Sequence, residues 1–518
     1  MQIARFAATT FTVGALLSGA ASAQEEVRQD APPPEELDIR ISLSSFLYRE
    51  TGDEAPALID QGAELQSASP VRRYFGDLRF EVETEHLDVD ARVRQTGARR
   101  YQSGASGAGE YDLRTLSYRL GSKRTWLTLG RQHIDWVGAT KIDGVSVTRR
   151  LGERAGVTAF GGTFPALGSR SIDTDYPRIH AADGTSSALL IPVTAGLGGA
   201  YQTPEYHADL GAAAVYAPQE FADAASNETT RVFVTSTGYW RPHDKVDLYH
   251  FALLDAAGAN AGGLTNGSLG LDLRPLPTVR ISATVHHISS DLLQIAARDL
   301  LADPDPSAIG VVQNNIAVTR TSQDTARGGV SLALARQRFE ISLSGSVHRR
   351  PAIDVALADG SGNVTFPEAR SADTTLTILD RRSVAGLRAS LSASLTYPIG
   401  DAAPNRARAT AVRAALSRAF AGGNAQVEAD AMGQRLRSNG GADLCMTTLD
   451  PLSCYGTSDT SAAQLGLTAS WRVSREWLLL TDLHFGYQDH TSDLSTGMIE
   501  WPSVYSISSF LRLQWRYR

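Results

Sequence analysis

Apolar and polar residues alternate along the chain, and the segment 503–518 shows the pattern clearly. Its odd positions carry mainly apolar side chains: Tyr505, Ile507, Leu511, Leu513, Trp515 and Tyr517. Its even positions carry polar ones: Ser506, Ser508, Arg512, Gln514, Arg516 and Arg518. A period of two predicts a β-strand with one apolar and one polar face. The aromatic residues near its end also suit an outer face that crosses lipid and meets the headgroups.

The segment 77–94 repeats this pattern in two consecutive runs, which predicts a hairpin. One face holds Leu78, Phe80, Val82, Leu87, Val89, Ala91 and Val93. The other face holds Asp77, Arg79, Glu81, Glu83, Glu85, Asp88, Asp90, Arg92 and Arg94. In a soluble sandwich the charged face would be hydrated surface, whereas in a membrane barrel it would line a water-filled interior.

Short turns and long loops alternate between the predicted strands. Compact turns are predicted at 121–124, 151–154, 241–245, 275–277, 336–337, 421–424 and 474–476. Longer loops are predicted at 51–70, 96–110, 164–191, 217–229, 289–325, 348–370, 438–460 and 489–502. If both termini lie on the periplasmic side, the strand number must be even, and this requires one more turn at 380–382. The sequence therefore predicts an all-β fold, a single transmembrane antiparallel β-barrel of about 22 strands (range 18–22), with short periplasmic turns and long extracellular loops.

The N-terminal residues predict export. Arg5 precedes a short apolar run, and Ala21-Ser22-Ala23 offers a small-residue cleavage site, so residues 1–23 are expected to be a cleaved signal peptide. An anchor helix is the alternative, but it would need about 20 apolar residues. Residues 24–36 are acidic and proline-rich, which predicts an extended periplasmic lead-in. The barrel is then expected to occupy residues 37–518.

Composition limits the possible classes of protein. Hydrophobic residues make up 42% of the chain, yet no apolar run after the signal approaches the roughly 20 residues of a membrane helix. A mature chain in a membrane must therefore be a closed barrel, and a soluble β-solenoid or several all-β domains are the alternatives. Loss of Arg5 changes the formal charge from −7 to −8, which gives no reason to expect a nucleic-acid partner.

The two cysteines predict a disulfide. Cys445 and Cys454 are expected to pair and pin a surface loop, since the predicted compartment is oxidising. Metal binding would require further ligands nearby, and the surrounding sequence offers none.

One loop segment differs in pattern. Residues 291–302 have apolar residues at helical spacing, which favours either a short helix that constricts the interior or a helical turn packed on other loops.

The sequence offers little support for catalysis. It contains no nucleophile elbow, phosphate-binding glycine loop or zinc-binding helix motif. His286 and His287 are neighbours on a strand and point to opposite faces. Two His and acid pairs do share faces, but neither has a serine placed with it: Asp482 with His484, and Glu340 with His348. We expect a protein that is not an enzyme and has no cofactor or metal.

The polar face of the strands carries the candidate site. The residues expected to line the pore are Arg40, Asp77, Arg79, Glu81, Glu83, Asp88, Asp90, Arg92, Arg94, Arg131, Arg512 and Arg516. Barrel closure would bring Arg40 beside Arg512 and Arg516, because the first and last strands must pair. Opposed charges in a pore orient dipolar solutes and filter ions. The alternative is that these residues only neutralise one another within the wall.

The segment Gly130–Val147 resembles a short signature of alginate-export-like and related porin barrels. Gly130-Arg131-Gln132 is followed, after a short loop, by Ile142-Asp143-Gly144-Val145, similar to the "GRQ … DG" pattern of those families. The resemblance implies a single outer-membrane barrel that passes sugars, sugar acids or polysaccharide through an arginine-rich interior. The chain departs from the usual outer-membrane ending, because Arg518 and not an aromatic residue is last.

Together these features predict a porin, in which small hydrophilic solutes diffuse passively and polar or acidic carbohydrates or other anions are preferred. The alternatives are an exopolysaccharide export barrel and a structural or surface-interaction barrel with a blocked lumen. A gated, plug-containing receptor is not expected, since only residues 24–36 precede the first strand. The expected partners are outer-membrane lipid and lipopolysaccharide, the outer-membrane assembly machinery, a small polar solute and, as a possibility, further copies of the chain.

Overall fold

The structure is a computed structural model that describes part of the chain. The described residues are 37–51, 72–99, 110–165, 172–176, 178–180, 187–189, 191–216, 230–257, 262–289, 322–356, 363–366, 368–381, 386–400, 408–439, 455–494 and 497–517. The predicted signal peptide and lead-in, Cys445, Cys454 and segment 291–302 lie outside them. Within these ranges, no helix is both long enough and apolar enough to cross a membrane.

The described residues form 26 strands. These are β1 (Asp38–Thr51), β2 (Arg72–Glu83), β3 (Leu87–Arg99), β4 (Glu110–Gly121), β5 (Thr125–Ile134), β6 (Thr140–Leu151), β7 (Ala155–Thr163), β8 (Arg178–His180), β9 (Ser187–Leu189), β10 (Val193–Gln202), β11 (Tyr206–Tyr216), β12 (Thr230–His243), β13 (Val246–Ala257), β14 (Gly263–Leu276), β15 (Val279–Ser289), β16 (Ser322–Leu334), β17 (Phe339–Arg350), β18 (Ile353–Ala356), β19 (Asn363–Phe366), β20 (Ala369–Asp380), β21 (Leu387–Pro398), β22 (Arg408–Phe420), β23 (Ala425–Asn439), β24 (Tyr455–Arg472), β25 (Trp477–Leu494) and β26 (Gly497–Tyr517).

Twenty-two of these strands form one closed antiparallel sheet. β8 pairs with β9, and β18 pairs with β19, as separate two-stranded ribbons. β1 pairs with β2 on one side and with β26 on the other, so that Arg40 lies opposite Arg516. The predicted barrel and its strand number are therefore confirmed.

Most predicted turns occur where the sequence placed them. At the end of the barrel that holds the start of β1 and the end of β26, called here the turn end, the connections span two to six residues. The additional turn at 380–382 is confirmed, since β20 ends at Asp380 and β21 begins at Leu387. The predicted loop 489–502 is wrong, because most of it is paired strand with His490 opposite Trp501. β25 and β26 extend their mutual ladder there, in a stretch whose polar residues obscure the alternation.

The two faces of the sheet differ in exposure and polarity. On β1, Leu43 is 56% exposed and Leu47 is 47% exposed, whereas Ser44 between them is 3% exposed. Side chains diverge outside a barrel and converge inside it, so the apolar face is the outer one. Exposed aromatic residues flank this face on β11, where Tyr206 and Tyr216 lie ten residues apart. That spacing is about 33 Å along the strand and about 25 Å along the axis of a barrel with 40° strand tilt, which matches the apolar band of a membrane barrel.

Candidate functional site

The hairpin of β5 and β6 leaves the barrel wall partway along these two strands. The ladder between β4 and β5 ends where Leu116 pairs with Arg131, and the ladder between β6 and β7 ends where Asp143 pairs with Thr163. Beyond these points β5 and β6 continue to pair with each other, up to Ile134 opposite Thr140. We call residues 132–142 the folded-in hairpin.

Gly130 forms the hinge of this hairpin. Its φ of 111° is a conformation that residues with a Cβ rarely adopt. A Cβ there would also collide with the carbonyl oxygen of Leu116 on β4. The glycine of the GRQ pattern is therefore required by backbone geometry at the point where the strand turns away from the wall.

Arg131 anchors the hinge by binding two acidic residues. Its guanidinium donates to both carboxylate oxygens of Asp143 at 2.6 Å, to the carbonyl oxygen of Leu113 at 2.9 Å, and to Asp175. Arg131 is 7% exposed and Asp175 is 1% exposed. Lys141 Nζ lies a further 3.5 Å from Asp175. A buried arginine with these partners fixes the base of the folded-in hairpin.

A short loop segment completes this anchor. Asp175 ends the single helical turn Ile172–Asp175, and the hydroxyl of Tyr176 donates to Asp143 at 2.6 Å. Burial, together with this hydrogen bond to a carboxylate, raises the pKa of Tyr176 to about 12. The hydroxyl therefore stays protonated, and continues to donate, over the whole physiological pH range.

The tip of the folded-in hairpin packs against the inner wall. Val137 is 0% exposed and Trp136 is 8% exposed. A Cβ on Gly211 of β11 would lie 2.5 Å from the carbonyl oxygen of Trp136 and 2.6 Å from Val137 Cγ2, and a Cβ on Gly198 of β10 would lie 2.9 Å from the same Cγ2. Leu197, next to Gly198 and on the opposite face, is 67% exposed. The contacted glycines are therefore on the inner face, and the hairpin occupies part of the lumen.

The tip is the centre of the buried apolar cluster that the described residues form. Its buried members are Ile134, Val137, Ile142, Phe160, Phe164, Ala213, Val215 and Phe233, with Leu253 packed against them. These residues come from the folded-in hairpin, from β7, β11, β12 and β13, and from the residue after β7. Apolar burial thus holds the hairpin against one sector of the inner wall.

A second feature is the inner face of β26, β1, β2 and β3, called here the layered wall. Five cross-strand layers follow one another from the opposite end of the barrel, the loop end, toward the turn end. The first contains Phe510, Phe46 and Phe75, the second contains Arg512, Ser44, Asp77 and Arg94, and the third contains Gln514, Ser42, Arg79 and Arg92. The fourth contains Arg516, Arg40, Glu81 and Asp90, and the fifth contains Asp38, Glu83 and Asp88. The wall carries six arginines and six carboxylates in total. They are unevenly distributed, because the third layer holds two arginines and no acid and the fifth holds three acids and no arginine.

Many of these charges pair within the wall. Arg79 binds both oxygens of Asp90 at 2.9 and 2.7 Å, and Arg516 binds both oxygens of Asp38 at 3.1 and 2.6 Å. Arg92 pairs with Asp77. Mutual neutralisation, the alternative noted from the sequence, therefore accounts for a large share of these residues.

Arg512 is the exception on this wall. Its side chain is exposed, its Nε donates to Ser44 Oγ at 3.2 Å, and its guanidinium carbon lies 5.3 Å from the ring centroid of Phe510. Within the described part of the chain, no carboxylate forms an ion pair with it. Six side chains surround a recess of about 170 Å³ at this point: Arg40, Ser42, Arg79, Glu81, Arg512 and Gln514.

The structure places every predicted pore-lining residue except Arg131 on the layered wall. Arg131 lies at the hinge of the folded-in hairpin. Sequence reasoning missed Asp38, Asp175 and the phenylalanine layer. The available signal for Phe46 and Phe75 was their position among polar residues on the same strand face.

The histidines have separate partners. His286 lies 3.2 Å from Asn266, and His287 lies 2.6 Å from Asp324, on the strands to either side of β15. His484 Nε2 lies 2.7 Å from Asp482, and its Nδ1 lies 2.7 Å from Gln464. In the residues that the structure covers, no group of three or more His, Cys, Asp and Glu residues is arranged to hold a metal ion.

No protein-family model matches the chain, and no curated protein matches its sequence. Several solved structures are similar to it. OccAB4 of Acinetobacter baumannii is 9% identical with a TM-score of 0.37, over 93% of this chain and 98% of that one. OprD of Pseudomonas aeruginosa is 9% identical with a TM-score of 0.37, over 94% and 97%. The siderophore receptor PirA of the same species is 11% identical with a TM-score of 0.46, over 93% and 81%.

Similarity at TM-scores below 0.5 does not establish a relationship to these proteins. The location of the chain in a membrane follows instead from its closed sheet and its outer surface. A closed barrel leaves no unpaired sheet edge, and its apolar outer face with flanking aromatic residues is suited to lipid. The chain is an outer-membrane β-barrel. The likeness of residues 130–147 to alginate-export-like barrels stays a resemblance.

Proposed function

We propose that this barrel is a porin through which small hydrophilic solutes diffuse passively, with polar or acidic carbohydrates and other small anions preferred. The observation that carries the proposal is the layered wall, whose second and third layers contain four arginines and one acid. The predicted residues of this wall are then the ones that line the pore. Arg131 belongs instead to the anchor of the folded-in hairpin.

The charge distribution suits selective passage without tight binding. One unit charge at 4 Å contributes about 1 kcal/mol in water, so one or two arginines in excess of their carboxylate partners enrich a small anion by roughly 5- to 30-fold. That energy is small enough for release, which a channel requires. The three acids of the fifth layer, near the turn end, would orient a dipolar solute as it passes.

The folded-in hairpin contributes to selection by size. A circular barrel of 22 strands would be roughly 40 to 45 Å across at its backbone, far wider than a monosaccharide. A channel that discriminates among small solutes must therefore fill much of this width. The folded-in hairpin fills the sector next to β7, β10, β11 and β12.

The layered wall argues against the export of an acidic polysaccharide. A polyanion that moved along this wall from the turn end would first pass Asp38, Glu83 and Asp88. Export of such a polymer along this wall would be favoured by cations at its turn-end layer, whereas that layer holds three carboxylates and no arginine. The folded-in hairpin favours a different second candidate, a surface-interaction barrel with a blocked lumen, because it already occupies part of the interior.

Solute flux into liposomes tests the proposal. The refolded chain is reconstituted, and uptake of glucose, glucuronate, gluconate and a charge-matched cation such as choline is compared with protein-free liposomes. We expect uptake of all small solutes, with glucuronate and gluconate faster than choline. A correctly folded and inserted barrel that admits no solute would refute the channel and support the blocked-lumen candidate.

A further inference from the structure

Three phenylalanines lie side by side on the inner face of the barrel. Phe46 on β1 lies opposite Phe510 on β26 and opposite Phe75 on β2. The rings of Phe46 and Phe75 are stacked, with centroids 5.0 Å apart and an interplanar angle of 22°. All three side chains are partly exposed. The rings are thus buried only in part, against one another and against the flanking arginines, and apolar surface is left toward the interior.

Arginines flank this aromatic row on its turn-end side. The guanidinium carbon of Arg94 lies 4.5 Å from the ring centroid of Phe75, and Arg94 is also paired with Asp77 at 3.0 Å. Arg512 lies 5.3 Å from the ring of Phe510 and has no carboxylate partner among the described residues. On the Phe75 side of the row, Arg94 is therefore neutralised by Asp77. On the Phe510 side, Arg512 is exposed and can bind an anion.

We propose that Phe75, Phe46, Phe510 and Arg512 form a transit subsite for aromatic carboxylates, a deeper assignment that rests on the proposed channel function. The solute ring stacks on the phenylalanine row, and its carboxylate receives two hydrogen bonds from the guanidinium of Arg512. Ser44 holds Nε of Arg512 and leaves the terminal nitrogens to face the solute.

The chemistry of the row favours an aromatic ring over a sugar ring. Phenylalanine has no hydroxyl or indole N–H with which to bind sugar hydroxyls. An apolar aromatic ring also loses less hydration than a polyhydroxylated one when it stacks. A sugar acid shares the carboxylate and a ring face, so it is the comparison that tests the assignment.

The test is block of single-channel current by four probes at equal concentration: benzoate, acetate, glucuronate and benzamide. Benzoate should bind best, because acetate and benzamide each lack half of the recognised chemistry. Phe46→Leu should weaken benzoate block about 3- to 10-fold, and Arg512→Gln about 10-fold. Phe46→Leu should leave the weak block by acetate nearly unchanged, because acetate has no ring. Arg512→Gln should weaken the block by acetate as well, because acetate keeps the carboxylate that Arg512 binds.

Phe485→Leu is the matched control. Phe485 lies on the outer face of β25 and is 51% exposed, so the change removes an aromatic ring without touching the interior. Benzoate block should be unchanged. Phe510→Leu provides a second row variant in case Phe46→Leu does not fold, and heat-dependent mobility on gels checks folding of each protein.

Equal block by benzoate and acetate in a conducting wild-type channel would overturn the subsite and leave the proposed channel intact. Equal or stronger block by glucuronate would overturn the aromatic assignment in favour of sugar acids. Absence of any conductance would instead refute the channel itself, so the two failures are distinguishable.

Discussion

Replacement of Arg131 by glutamine should release the folded-in hairpin from its base. The change removes the two 2.6 Å hydrogen bonds to Asp143, the bond to the Leu113 carbonyl, and the ion pair with Asp175. Among the described residues, Asp175, at 1% exposure, would keep only Lys141 as a cationic partner, with its Nζ 3.5 Å away. The barrel itself should persist, because the 22-strand ladder does not depend on this arginine.

The magnitude follows from the buried charge that is left behind. Removing one partner of a buried ion pair costs about 3–5 kcal/mol. If that cost falls on local opening of the hairpin, amide protection in residues 132–142 should fall by roughly 100-fold to several thousandfold. Hydrogen exchange followed by mass spectrometry of the refolded barrel measures this directly, peptide by peptide.

Arg435→Gln is the control for this experiment. Arg435 pairs with Asp459 at 2.6 Å, but the pair is solvent-exposed and remote from the hairpin in the sheet order. It should leave exchange in residues 132–142 unchanged. Wild-type protection of the hairpin in Arg131→Gln would refute the anchoring role, and so would uniform loss of protection in every strand.

Three further predictions concern the docking of the folded-in hairpin, the layered wall and the cysteines. A Cβ on Gly156 would collide with the Trp136 ring, so Gly156→Leu should destabilise the docked hairpin by about 1–3 kcal/mol and raise the conductance. Adding Trp136→Ala should remove the clash. Unchanged conductance in the single variant would contradict the docking of Trp136 against Gly156. Arg92→Gln should lower the chloride-to-potassium permeability ratio about twofold in reversal-potential measurements, and an unchanged ratio would remove this residue from the pore lining. Cys445 and Cys454 should appear as one disulfide-linked species in mass spectra of unreduced peptides, whereas two alkylated thiols would contradict the pairing.

Much of the fold followed from alternation alone. A period-two pattern assigns each strand residue to one of two faces, and the need for an even strand number located the turn after Asp380. The predicted loop 489–502 failed because paired strands continue past the apolar band there. Polar residues on both faces then carry no alternation signal.

The folded-in hairpin could not be predicted in the same way. Trp136 and Val137 pack on Gly198 and Gly211, which are more than 60 residues away along the chain. Nothing local specifies that contact. The left-handed conformation of Gly130 is likewise a property of the folded wall, although glycine there permits it.

The ion-pair partners of the charged residues could not be predicted from the sequence either. Alternation placed Arg79 and Asp90 on the same face, but only the register of β2 against β3 makes them a bidentate pair. The registers of β1 against β2 and against β26 likewise set the three phenylalanines in one row. The face of a residue follows from its parity, whereas its neighbours depend on which strands pair and with what offset.

The most direct measurement is single-channel conductance of the refolded mature chain in a planar bilayer under a potassium chloride gradient. The layered wall predicts steady conductance and a reversal potential that indicates preference for chloride over potassium. A folded, inserted barrel that carries no current, or one that prefers potassium, would contradict the account.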